Sequence, residues 1–212
     1  MKTLISLIGF IIITNSLNEP NYELRYFKAF NEVEFDYALV LPPDFDRSKD
    51  YQIIAVLSEV HINDDSWKTT VDYLDTVELD NSIVIVPKVP RGNDHWGTHP
   101  IHHGFNDLLK SVRNSHGKSG QKFHLIGLEK GHETAFWWTY QSKELIASTS
   151  IINGNLWKED RWDKRWYDNL MGSDIPIYAY EDSTINKFDM SQIEFETLKP
   201  LSEVIDDIEV RN

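Results

Sequence analysis

The run Gly127-Leu128-Glu129-Lys130-Gly131 sets one carboxylate between two glycines four positions apart. A strand before it (Phe123 to Gly127) and a helix after it (Glu133 to Leu145) would put Glu129 at the apex of a sharp strand-to-helix turn. Such a turn needs small residues on both flanks, because strand and helix pass close together. The G-x-S-x-G nucleophile elbow carries serine at that apex. A carboxylate in its place can attack carbon, but the ester it forms needs a base-activated water for release. It would also oppose the negative charge that develops during acyl transfer.

Other chemistry-bearing residues fall just after apolar runs that read as strands. Ser58, Glu59, Val60 and His61 follow Ile53–Leu57, and Lys88 to Arg91 follow Ser82–Pro87. Asn153-Gly154-Asn155 follows Ala147–Ile152, and Glu181-Asp182 follows Ile175–Tyr180. In a parallel sheet ligands bind beyond the carboxyl ends of the strands. Glu59, Glu129 and Glu181, with His61, Lys130, Asn153 and His132, are therefore candidate rim residues. Converging carboxylates can split their pKa values and act as acid and base, or hold a divalent cation. The plainer reading is an acidic, solvated rim without chemistry.

His95, His99, His102 and His103 cluster in DHWGTHPIHH. His95, His99 and His103 are candidate zinc or copper ligands. Pro100 argues for His99 as a loop or cap residue, and surface histidines are the preferred reading. Trp157, Trp162 and Trp166 lie in a charged segment, with Trp162 and Trp166 one helical turn apart. Exposed, they would stack on sugar rings; packed, they would join a helix to the sheet. Trp137 and Trp138 follow the turn, and at least one belongs to the core.

The elements that must position these residues alternate along the chain. Tyr22–Phe30 and Phe35–Leu41 read as paired strands. Short apolar strands then alternate with amphipathic helices at Asp65–Leu74, at Ile101–Val112 and at Glu133–Leu145. Trp157–Met171 reads as partly helical, Ser191–Leu198 as a helix and Val204–Val210 as a final strand. The pattern predicts an α/β fold, with a mostly parallel central sheet of about eight strands and helices on both faces.

The stretch Phe123-His-Leu-Ile-Gly-Leu-Glu-Lys-Gly-His-Glu-Thr-Ala-Phe-Trp-Trp, with Lys143 to Gly154 after it, resembles the elbow, helix and next strand of secreted α/β-hydrolases. These are the family similar to feruloyl and acetyl-xylan esterases and polyhydroxybutyrate depolymerases. Tyr37 to Asp46 with Tyr51 to Leu57 resembles the approach to the family's third strand, and Ile83 to Gly92 its fourth strand and loop. The resemblance implies an α/β-hydrolase-like fold, C-terminally truncated, and a carboxylic ester hydrolase site.

The departures from that family fall on the chemistry. Glu129 replaces the serine. Ser58-Glu59-Val60-His61 stands where an oxyanion loop of the His-Gly-Gly type is expected. The acid is expected near Ser183 to Ile185, and none of those three residues is a carboxylate; no histidine follows His132. A Ser-His-Asp triad needs all three groups. The expectation is an esterase-like protein without the serine-hydrolase reaction, whose cleft binds a polysaccharide or oligosaccharide. An active hydrolase using carboxylates or a His/Glu-held metal is the alternative, and a structural or partner-binding role is the third.

Bulk properties narrow the classes. The 212 residues suit one domain, and 41% hydrophobic content excludes global disorder. A formal net charge of -13 argues against nucleic acid and anionic membranes. Lys2, the apolar run Leu4–Ile13 and Thr14-Asn15-Ser16 read as an export signal over residues 1–16, leaving 17–212 as a single domain. No later run is long and apolar enough to cross a membrane, so no insertion is expected after signal removal. With no cysteine and no Asn-x-Ser/Thr sequon, the chain suits a bacterial periplasm or exterior. No cofactor is expected, and oligomeric state is not legible.

Overall fold

The computed structural model describes residues 22–58, 65–77, 79–90, 93, 96–128, 131–152, 174–180 and 199–210. Seven strands form one sheet among them: β1 (Tyr22–Lys28), β2 (Glu34–Val40), β3 (Gln52–Leu57), β4 (Ser82–Pro87), β5 (Phe123–Leu128), β6 (Ile146–Ile152) and β7 (Ile177–Tyr180). Four helices accompany them: α1 (Asp65–Leu74), α2 (His99–His116), α3 (Gly131–Gln141) and α4 (Lys199–Val210). The strand order is β1-β2-β4-β3-β5-β6-β7. β2 runs antiparallel to both β1 and β4, and the remaining neighbours are parallel.

The central strands are apolar on both faces because both faces are covered. Ile53, Ala55, Leu57, Ile83, Ile85, Phe123 and Leu125 face α2 and α3. Their alternates Ile54, Val56, Val84, Val86, Ile126 and Leu128 face α1 and α4. The predicted stripe on α2 holds: Ile101, Phe105, Leu108, Leu109 and Val112 are all buried. Phe105 stacks on Trp138 with ring centroids 3.7 Å apart, and Trp96 meets Trp138 edge-on. Both Trp137 and Trp138 are core residues.

Three expectations change. The final segment is a helix, not a strand: Leu201, Val204, Ile205 and Ile208 recur at helical spacing and pack under the sheet. An acidic pair that breaks strand alternation fits this period, with Asp206 on the exposed side. Helix α3 begins at Gly131, two residues earlier than expected, and ends at Gln141. Strand β1 ends at Lys28, and Phe30 lies in the turn to β2. The seven strands among the described residues bear out the expected mostly parallel sheet of about eight with helices on both faces. The predicted export signal, Trp157–Met171 and Ser191–Leu198 lie outside the described residues.

Candidate functional site

The sheet order reverses at β3. The chain passes from β3 to β4 on one side, then crosses to β5 on the other. β3 and β5 are neighbours, with Leu57 opposite Gly127, and this is the crevice where such sheets bind ligands. Only Glu129 and Lys130 join the end of β5 at Leu128 to the start of α3 at Gly131.

Two glycines make so short a turn possible. A Cβ on Gly127 would stand 2.7 Å from the His132 Cα and 2.9 Å from the Gly131 carbonyl oxygen. A Cβ on Gly131 would stand 2.0 Å from the Leu57 carbonyl oxygen and 3.3 Å from the Ser58 carbonyl carbon. The helix start is thus pressed onto both the strand it leaves and the end of β3. Ser58, the residue that follows β3, is buried there. His132 is also buried, with its ring edge-on to Phe136 at 6.4 Å. Glu133 in the first turn complements the positive end of the helix. Glu129 is joined to that end through Lys130 alone.

Glu59, His61, His95, Glu129, Lys130, Asn153, Trp157, Trp162 and Glu181 lie outside the described residues. Among the described residues, the ends of β3 and β5 lie side by side, with Leu57 opposite Gly127. His99 is the first residue of α2, capped by the Thr98 side chain, with Pro100 tolerated in the first turn. His99 was expected as a loop or cap residue and is instead the first helical residue after the cap, because proline blocks a helix only after its first turn. His99 and His103 are exposed. Among the described residues no group of three or more His, Asp or Glu is placed to hold a metal.

His102 is different, and the sequence did not single it out. It is 4% exposed, packs edge-on to Trp137 at 5.1 Å, and meets the Ser142 Oγ at 2.8 Å through Nε2. The Asn106 amide donates to the same Ser142 Oγ at 2.9 Å. The serine proton is then free to donate to Nε2, which requires a neutral ring. Burial first, then the neighbouring His103 and His99, push the His102 pKa down to about 4. A second buried network spans the sheet: His124 meets Ser148 at 2.8 Å and the Gln52 side-chain oxygen at 3.0 Å. It lies at the start of β5, away from the crevice. The spacing of His102 and Asn106 was visible in the sequence, but their shared partner Ser142 was not.

The fold is that of the α/β-hydrolases, and solved structures of esterases and serine hydrolases share it. A ferulic acid esterase is similar at 10% identity and a TM-score of 0.59, over 88% of this chain and 97% of that one. A thermostable esterase is similar at 15% identity and a TM-score of 0.55, over 89% of this chain and 62% of that one. An IroE-like serine hydrolase from Shewanella oneidensis is similar at 14% identity and a TM-score of 0.51, over 74% and 60% respectively. The chain therefore spans less than two thirds of the length of the last two. No family model matches, and no curated protein matches.

Proposed function

We propose that this chain is an exported protein of the esterase-like α/β-hydrolase fold that has lost the serine-hydrolase reaction and uses its crevice to bind a polysaccharide or its fragments. One observation carries the reading. Strand β5 and helix α3 are only two residues apart, the glycines at 127 and 131 are too closely packed for side chains, and the sequence carries Glu129 where the elbow motif carries serine. The elbow exists to hold a nucleophile beside an oxyanion site. In this reading the Glu129 carboxylate opposes the negative charge that develops in acyl transfer.

The polysaccharide class rests on the family resemblance and on the tryptophans at Trp157 and Trp162. In this reading Glu59, His61, Lys130, Asn153 and Glu181 supply polar contacts to sugar hydroxyls, and Trp157 and Trp162 supply stacking faces. The export signal would place the protein where such polymers occur.

The test uses purified protein with chromogenic acyl esters, and with xylo-oligosaccharides, in the presence and absence of zinc or calcium. The expected result is no turnover, together with a tryptophan fluorescence shift on oligosaccharide that Trp157→Ala or Trp162→Ala removes. Turnover that Glu129→Gln abolishes would overturn the reading in favour of a carboxylate-based hydrolase. Silence in both assays would overturn it in favour of a role in binding another protein.

A further inference from the structure

Strand β1 forms one edge of the sheet and pairs only with β2 among the described residues. Its outer row of backbone N–H and C=O groups is a template for another strand. Three of the four large hydrophobic side chains most exposed among the described residues fall on β1 or its turn: Leu24 at 68%, Tyr26 at 54% and Phe30 at 96%. The fourth, Val210, belongs to α4. Leu24 and Tyr26 share one face of the strand, while Glu23 and Arg25 share the other. Soluble proteins usually blunt such an edge with charge, proline or a bulge. Here the charges are of both signs and two residues apart, so they suit one particular pairing.

We propose that the outer edge of β1 is a self-association surface, on which a second copy of this chain adds its own β1 antiparallel about a two-fold axis at Leu24. In that register Leu24 faces Leu24 of the second copy, and Tyr22 faces Tyr26. Glu23 faces Arg25 of the second copy, twice over. Within one chain Arg25 already donates to the Glu23 carboxylate, through Nε at 2.8 Å and through its terminal amine at 2.5 Å. The pairing turns two ion pairs into a four-charge cluster of alternating sign. Its inner end is anchored, because Arg25 also reaches the buried His116 ring on α2 at 3.4 Å. Neighbouring registers fail on charge. An axis at Arg25 sets two guanidinium groups directly opposite one another. An axis at Tyr26 sets Arg25 against Phe27 and Leu24 against Lys28. Like charges directly opposite destabilise a strand pair, and opposite charges or apolar pairs stabilise it. A closed two-fold dimer also covers the edge from Tyr22 to Tyr26 in both copies.

The chain contains no cysteine, which makes a single introduced thiol a clean probe. The full chain at micromolar concentration should scatter light as a dimer, at twice the 24.8 kDa chain mass. Leu24→Lys should give monomer. Glu23→Arg should give monomer, and Glu23→Arg combined with Arg25→Glu should restore the dimer. Leu24→Cys should form a disulfide-linked dimer on mild oxidation, because facing residues of an antiparallel pair are close enough to bridge. Lys49→Cys, on an exposed turn, should not. A monomeric wild type, a Leu24→Lys variant that stays dimeric, or a Leu24→Cys variant that links no faster than Lys49→Cys would each overturn the proposal.

Discussion

The backbone of Gly131 lies so close to the end of β3 that a methyl group there would stand 2.0 Å from the Leu57 carbonyl oxygen. That contact joins the start of α3 to the end of β3. It makes the glycine a requirement of the fold instead of a preference.

Gly131→Ala should therefore destabilise the protein by more than about 4 kcal/mol, or prevent folding, because backbone must move to admit the methyl. Gly127→Ala should act in the same direction, since its new Cβ would also meet backbone. Gly120→Ala is the contrast. It has φ of +82° but nothing within 4 Å of a new Cβ, so it should cost only about 1 kcal/mol of backbone strain. Urea unfolding of the three variants checks the order. A Gly131→Ala variant as stable as Gly120→Ala would contradict the close approach.

Stability should fall on acidification in a window set by His102. Its folded pKa is lowered to about 4, below the ordinary value of 6.5, so between those values the unfolded chain binds a proton that the folded chain does not. Unfolding is then favoured as pH falls through 6.5, and the loss levels off below about 4. The full effect of this one group is at most about 3 kcal/mol. Unfolding free energies measured from pH 7 to pH 4 should show this slope, and His102→Gln should flatten it.

Ser142→Ala should cost about 1–3 kcal/mol, because it strips the shared partner from the buried His102 ring and the Asn106 amide. Chemical denaturation measures it. A neutral result would mean that the helix α2 to α3 link is not made through this hydroxyl.

Trp138→Ala should cost about 3–5 kcal/mol, since the indole is 1% exposed and holds Phe105 and Trp96 together. The exposed Lys68–Asp72 pair on α1 offers a control. Lys68→Ala should shift stability by no more than about 0.5 kcal/mol, because surface ion pairs are solvated in both states. Thermal melts of the two variants separate core packing from surface charge.

The local parts of this protein were legible in its residues. Continuous apolar runs marked β3, β4 and β5, because strands covered on both faces need no polar alternates. The spacing of Ile101, Phe105, Leu108 and Val112 marked α2. Gly127 and Gly131 marked a tight turn around Glu129. The final helix was missed because Asp206 and its neighbour break strand alternation without announcing a helix, and only packing of Leu201, Val204, Ile205 and Ile208 decided the period. His99 was misplaced because proline ends helices in general yet is accommodated in their first turn.

Elements are written in the chain because hydrophobic period and turn chemistry act over a few residues. Which elements become neighbours is decided by burial summed across the whole molecule. The sequence alone therefore determined the strand–turn–helix around Glu129 and the acidic character of the residues that follow the strands. Only the tertiary structure put β5 beside β3, set Gly131 against Leu57 and brought Ser142 to His102, 40 positions away. Contacts of that kind depend on packing between segments that carry no mark of each other, so no local pattern could have disclosed them.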